Sequence, residues 1–311
     1  MHEKSLRESI ASLKRERGAV IMAHNYQRTE VQDIADFAGD SLELAREARQ
    51  NDAGVVVFCG VHFMAETASL LAPEKVVLLP DENAGCPMAD MADASAVLEM
   101  KNEHPGAVVI CYVNSTAAVK AVSDACCTSS NAVDIVDRVP RDREILFVPD
   151  RYLGAQVMKV SRREMHLWPG YCPVHNRFSA ELISSGKDLH PEAVVMVHPE
   201  CVEEVCDAAD QVLSTGGMCS FAAGSNATEF IVGTEPGLLY RLRKENPSRR
   251  FIPMLEEAVC SDMKLCTLEK IRDALDRLSP RIVVDESTAK RAAVSVMRMF
   301  EDGPITPVEE L

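Results

Sequence analysis

The chain has 311 residues, 47% of them apolar, enough to bury a full core and, at ordinary domain sizes, to build two or three compact units. Its 48 acidic and 33 basic residues leave a formal net charge of -15, which argues against a nucleic-acid partner or an anionic membrane surface. No apolar run approaches the length of a membrane span, and residues 1–8 lack the apolar core of a signal peptide, so a cytoplasmic protein is expected.

Residues 4–17 carry leucine and isoleucine at helical spacing and stop at Gly18, which predicts a helix feeding a strand over 19–23. Helices are expected over 30–37 and, from the Gly39-Asp40-Ser41 turn, over 41–49. The apolar run 55–59 reads as a buried parallel strand, followed by a helix over 63–71 and a strand over 76–79 leading to Cys86. The order then recurs: a helix over 89–103, a strand over 107–111, a helix opening at Thr128-Ser129-Ser130 and a strand over 145–148. A third round has a helix over 178–185 and strands over 193–197, 230–232 and 251–255. After Cys260, a helix over 267–278, a strand over 282–284 and a helix over 288–300 resemble the start of a fourth round. This tail, 280–311, is expected to pack back on the first unit.

Strands alternating with helices imply α/β architecture, with short parallel sheets that bind ligands at the carboxyl ends of their strands. No Gly-rich dinucleotide fingerprint follows any strand, so bound NAD is not supported. The repetition is exact enough to set a register. Residues 18–26 match 106–114 at a shift of 88, and 192–200 at a further 86; the same shifts carry Ser41 onto Ser129 and Thr215. Cys86, Cys172 and Cys260 follow each other at 86 and 88 residues. Chance repetition of strand and loop explains the strands, but not a hydroxyl and a thiol held in phase. Three αβα units are therefore expected, at 1–87, 88–173 and 174–279.

Eleven cysteines, an odd number without a secretory signal, do not suggest a disulfide framework. Cys59 and Cys111 read as small buried hydrophobes in strands, and Cys126, Cys127, Cys201, Cys206 and Cys219 as filler on or beside helices. Cys266 lies outside the register and is left out of the ligand set. If the three units surround a pseudo-threefold axis, Cys86, Cys172 and Cys260 meet there. Three thiols suit either a four-iron, four-sulfur cluster with one open iron or a zinc ion completed by water.

Ser41, Ser129 and Thr215 each stand where a helix is expected to begin; any one alone reads as an N-cap, but three in register would aim helix N-termini at one cavity. Such a receptor suits carboxylates or phosphate. His62, His104, His166 and His190 read as satisfied structural histidines. His24, His198 and His175 differ because they fall inside repeated motifs or beside a ligand cysteine. Tyr26, Asn114 and Glu200 occupy equivalent positions, giving a phenol, an amide and a carboxylate for proton transfer and carbonyl orientation.

At these residues the chain resembles the quinolinate synthase family, the A proteins of de novo NAD biosynthesis, over essentially its full length. The resemblance rests on Met22-Ala23-His24-Asn25-Tyr26, Gly39-Asp40-Ser41, Gly85-Cys86-Pro87-Met88, Cys111-Tyr112-Val113-Asn114, Cys126-Cys127-Thr128-Ser129, Cys172-Pro173-Val174-His175, His198-Pro199-Glu200, Ser214-Thr215-Gly216 and Cys260 with Met263. It implies three Rossmann-like αβα units about a pseudo-threefold axis and one [4Fe-4S] cluster per chain, on Cys86, Cys172 and Cys260. It also implies condensation of iminoaspartate (iminosuccinate) with dihydroxyacetone phosphate to quinolinate, phosphate and water, with an aspartate-oxidising enzyme as a possible source of the imine. On this reading His24, Ser41, Tyr112, Asn114, Ser129, His198, Glu200 and Thr215 bind substrate, while Glu200, Tyr26, His198 and His175 serve catalysis. Some family members carry a Cys-x-x-Cys-x-x-Cys run near the third ligand; this chain lacks it and resembles the short form. The competing expectations are a non-catalytic iron-sulfur electron carrier or sensor, and a three-cysteine zinc hydrolase.

Overall fold

The computed structural model describes residues 2–308. The last residues of the 280–311 tail therefore lie outside the described residues, as does Met1 of the stretch read for a signal peptide. The chain begins with α1 (His2–Arg17), β1 (Ala19–His24), α2 (Thr29–Ile34), β2 (Phe37–Gly39), α3 (Ser41–Gln50), β3 (Val55–Cys59), α4 (His62–Leu71) and β4 (Val76–Leu78). It continues through α5 (Ala94–Glu103), β5 (Val108–Tyr112), α6 (Ala117–Val122), β6 (Ala125–Cys127), α7 (Ala132–Asp137), β7 (Ile145–Val148), α8 (Arg151–Ser161) and β8 (His166–Leu167). The third round holds α9 (Ala180–Leu189), β9 (Val194–Val197), α10 (Glu203–Ala208), β10 (Gln211–Val212), α11 (Thr215–Gly224), β11 (Glu229–Gly233), α12 (Leu238–Glu245) and β12 (Arg250–Pro253). Helices α13 (Leu268–Arg277) and α14 (Glu286–Met297) complete it.

Three four-stranded sheets result, ordered β2-β1-β3-β4, β6-β5-β7-β8 and β10-β9-β11-β12, with every ladder parallel. The strand order is the same each time, as expected for one α/β unit used three times. The central strands β3, β5 and β7 are buried along their whole length, as continuous apolar runs in sheets covered on both faces should be.

A polar device repeats with the sheets. Asp36, Asp124 and Asp210 each accept a 2.8 Å hydrogen bond through Oδ2 from a central-strand amide, that of Ile21, Val109 and Val195 respectively. Each is paired with a lysine: Lys14, Lys101 or Lys187. The carboxylate occupies a strand amide at the point where the chain turns into the short edge strand, so the same clip starts β2, β6 and β10.

That clip explains one departure from expectation. The helix read over 30–37 ends at Ile34, because Asp36 ties the chain to Ile21 and residues 37–39 pair with β1 instead. Two other helices start late: α5 at Ala94, capped by Asp93 after a 3-10 turn over Ala89–Met91, and α7 at Ala132. The strand expected over 282–284 does not form. Arg281 makes a single antiparallel bridge with Leu78, and Val283 is 83% exposed, so no fourth round begins.

The tail packs on the first unit only in part. Helix α14 touches α4 and β6 to a similar extent, but packs chiefly on α6, which follows β5. The reason is polar as well as apolar: Ser295 Oγ donates to Lys120 O at 2.7 Å, Arg298 Nη1 donates to Asp124 O at 2.9 Å, and Ala292 and Val296 are buried.

Candidate functional site

The first strand of each unit ends in a residue of one shared cavity of about 280 Å³: His24 closes β1, Tyr112 closes β5, and His198 follows β9. This is the carboxyl-end placement that parallel sheets favour. The walls bring together the residues singled out by the repeat: Tyr26, Ser41, Asn114, Ser129, His175, Glu200 and Thr215, with Cys86, Cys172 and Cys260.

Glu200 is the centre of the polar wall and is 3% exposed. Its Oε1 accepts from Tyr112 Oη at 2.7 Å and from Asn114 Nδ2 at 3.4 Å, while its Oε2 lies 2.7 Å from His175 Nδ1 and 3.5 Å from His198 Nδ1. The His175 ring stacks on His198 with centroids 4.7 Å apart. Beyond it, His175 Nε2 meets Thr234 Oγ1 at 2.8 Å, and Thr234 Oγ1 meets Tyr26 Oη at 2.6 Å. With Nδ1–H donated to Glu200, Nε2 accepts from the Thr234 hydroxyl, which in turn accepts from the phenol. Tyr26, Thr234, His175 and Glu200 thus form one ordered chain of donors and acceptors.

Burial opposes ionisation of Glu200, but His198, His175 and the hydrogen bonds from His175 and Tyr112 outweigh it and hold the carboxyl at about 2. Burial drives protons off His198, lowered to about 3, and off His24, lowered to about 4. At neutral pH Glu200 is therefore a carboxylate, with His198 and His24 neutral beside it. His24 Nδ1 accepts from the Tyr26 amide at 3.2 Å, which leaves its proton on Nε2. Burial also pushes the Tyr26 and Tyr112 phenols well above their usual value, the nearby Glu200 charge adding to it, so both stay protonated.

The helix starts are built differently from the expectation. Asp40 and Ser214 cap α3 and α11, so Ser41 and Thr215 are the first helical residues rather than caps; Ser129 lies ahead of α7. The Thr215 hydroxyl accepts from Asn25 Nδ2 at 2.9 Å. Ser130 Oγ binds Asp40 Oδ2 at 2.7 Å and Ser214 Oγ at 2.8 Å, joining all three units. Asn114 lines the cavity, and its Oδ1 is buried with no hydrogen-bond partner among the described residues.

Three thiols face this wall. Burial raises the Cys86 thiol to about 12 and the Cys172 and Cys260 thiols above their ordinary value, the Glu200 charge adding to the rise at Cys172. Ligation would therefore displace a proton from each. They are not gathered within 4.8 Å of one another, as donors to a single small ion would be. Their placement around one cavity from three loops fits a larger body. Cys172 Sγ, a His175 ring nitrogen and a Glu200 oxygen do fall within 4.8 Å of one another, so Cys, His and Glu groups here are able to hold a metal.

Sequence reasoning missed Thr234, Glu235 and Asn25. Glu235 is fully buried; its Oε1 accepts from Lys264 Nζ at 2.8 Å and from the Cys260 amide at 3.4 Å, and its Oε2 from the Gly237 amide at 2.7 Å. It anchors the loop that carries Cys260. Thr234 and Glu235 directly follow β11, and the strand-end rule applied to β11 as well as β9 would have flagged them.

The family model described as Quinolinate synthetase A protein matches residues 8–301. A quinolinate synthase of Dehalococcoides mccartyi is 54% identical over 300 residues, covering 96% of this chain and 99% of that protein. One from Geobacter metallireducens is 51% identical over 96% of this chain and 98% of its own length. The protein named quinolinate synthase 2 of Methanosarcina acetivorans is 50% identical, with 96% of each chain covered.

Proposed function

Because the chain belongs to the quinolinate synthetase A protein family, we propose that this enzyme condenses iminoaspartate with dihydroxyacetone phosphate, forming quinolinate, phosphate and two molecules of water without net redox change. The observation that carries the reading is the ionised Glu200, ringed by Tyr112, Asn114, His175 and His198 and facing three thiols across one cavity. An electron carrier has no use for such a wall.

Cys86, Cys172 and Cys260 would hold a [4Fe-4S] cluster, which supplies an open iron as a Lewis acid for substrate oxygen or nitrogen. Around it, the Asn114 side chain, whose Nδ2 donates to Glu200, bounds the substrate space. The His24 Nε2–H and the Ser41 and Ser129 hydroxyls donate to carboxylate and phosphate oxygens. Tyr112 and Asn114 orient the Glu200 carboxylate, and Tyr112 and His198 bound the substrate. Glu200 takes the carbon-bound protons lost during isomerisation and dehydration, and the chain through His175 and Thr234 connects it to the Tyr26 phenol as a proton source. Thr215 holds Asn25 and thereby the start of the His24 loop. The unstable imine would come from an aspartate-oxidising enzyme, and the three units would divide at 1–87, 88–173 and 174–279.

The Cys172, His175 and Glu200 set supports a second reading, in which a single zinc ion activates water for hydrolysis. Metal and sulfide analysis of protein purified without air separates the two. About four irons and four sulfides per chain are expected, lost in each of Cys86→Ala, Cys172→Ala and Cys260→Ala. They should remain in Cys266→Ala, since that thiol is buried against Gly60 O outside the cavity lining. One zinc, no sulfide and no quinolinate from the two substrates would establish the second reading instead.

A further inference from the structure

Away from the cavity, three side chains from separate stretches meet at the amino end of the second sheet. His104 follows α5, Glu144 immediately precedes β7 and His166 opens β8. These strands run parallel to β5, whose last residue, Tyr112, lines the cavity, so the group sits at the opposite end of the sheet. His104 Nδ1 lies 3.1 Å from Glu144 Oε2, and His166 Nε2 lies 3.6 Å from the same oxygen. The imidazole centroids are 4.0 Å apart, and one donor atom from each residue falls within 4.8 Å of the others.

A tetrahedral ion with bonds of about 2.0–2.1 Å sets its donors about 3.3 Å apart, and the two measured separations bracket that value. Two imidazoles and one carboxylate match the zinc class of ions, whereas calcium and magnesium prefer oxygen alone. The side chains are 26%, 62% and 44% exposed, so an ion can enter from solvent and water can complete the fourth position. The net charge of -15 favours cation capture.

We propose that His104, Glu144 and His166 form a second metal site, which binds one zinc-class divalent ion and is separate from the cavity. The ion would tie β8, a strand of two residues, to the end of α5 and the start of β7. Six residues beyond His166 the chain reaches Cys172, so the site braces the segment that delivers one cavity thiol.

The test is zinc binding to anaerobically purified wild-type protein and to His104→Ala, His166→Ala and Glu144→Gln. All four keep the cavity thiols, so the difference between them isolates this site. Each histidine variant should lose one zinc per chain or at least tenfold in affinity, and zinc should raise the wild-type melting temperature more than theirs. Cobalt at this site should show only the weak visible bands of nitrogen and oxygen ligation. Equal zinc stoichiometry and affinity in wild type and His104→Ala/His166→Ala would overturn the proposal. So would an intense thiolate charge-transfer band as the sole cobalt signal, because the ion would then be on the cysteines.

Discussion

Glu200 stands where the sister units carry Tyr26 and Asn114, and its surroundings show what the substitution achieves. A carboxylate buried without partners would be neutral; here Tyr112 and His175 hold it as an anion at about 2. Glu200→Gln keeps the size and much of the hydrogen bonding but removes the base, and should lower turnover by roughly 10²- to 10⁴-fold. Iron content and dicarboxylate affinity should change far less; near-normal turnover would take Glu200 out of the chemistry. Thr234 bridges the Tyr26 phenol and His175 by two short hydrogen bonds, whereas the phenol meets the ring directly only at 3.5 Å. Thr234→Val leaves only the longer direct contact and should cost about tenfold to a hundredfold in turnover, the scale of one or two hydrogen bonds. Thr234→Ser restores the hydroxyl and should recover most of the loss. If valine and serine behaved alike, the bridge would have no part in proton movement.

At the scale of elements, the Lys–Asp clip determines where each first strand hands over to its edge strand. The copies differ in burial, which makes a graded comparison possible. The Asp124 side chain is fully buried, accepting from the Val109 amide, Lys101 and the Val308 amide, whereas that of Asp210 is 44% exposed. Asp124→Ala leaves a buried strand amide and a lysine without partners and should destabilise by about 1–3 kcal/mol. Asp210→Ala, where water replaces part of the loss, should cost less in the same denaturation measurement. Equal costs would mean that the clip acts by geometry alone. The aspartates recur at the same 88- and 86-residue shifts as the motifs, so the signal was present in the sequence. The burial is not legible there, because each aspartate sits in a short turn, where an acid ordinarily faces water.

For the whole molecule, the cavity couples stability to pH. His24 and His198 take protons in the folded chain only at about 4 and about 3, against an ordinary value of 6.5. Between those values and about 6.5 the unfolded chain binds more protons, so stability rises with pH there and is fully present above about 6.5. Glu200, held at about 2 instead of 4.5, adds a contribution of the same sign that is lost as pH falls from about 4.5. The unfolding free energy from denaturation curves should therefore drop between pH 7 and pH 4.5, by up to about 1.4 kcal/mol per pH unit for each histidine. His24→Asn should flatten the slope. A slope of opposite sign would mean that these rings are charged in the folded protein.

The α/β class, the three rounds of elements and the polar residues held in phase were all legible in the sequence. Periodicity and a constant register are local properties, preserved when a chain copies one unit. Convergence was not local: Glu200 lies 88 residues from Tyr112 and 25 from His175, and only the tertiary fold brings them within 2.7 Å. The same holds for Thr234, for the approach of Ser130 to Asp40 across units, and for His104 and His166, which read separately as ordinary structural histidines. The path of the tail was also a tertiary decision. Helix α14 has apolar residues suited to several neighbours, and its polar partners on α6 and β6 chose the second unit. Spacing along a chain sets which side chains recur, whereas burial, charge and hydrogen bonding at their meeting point depend on neighbours that no single stretch contains.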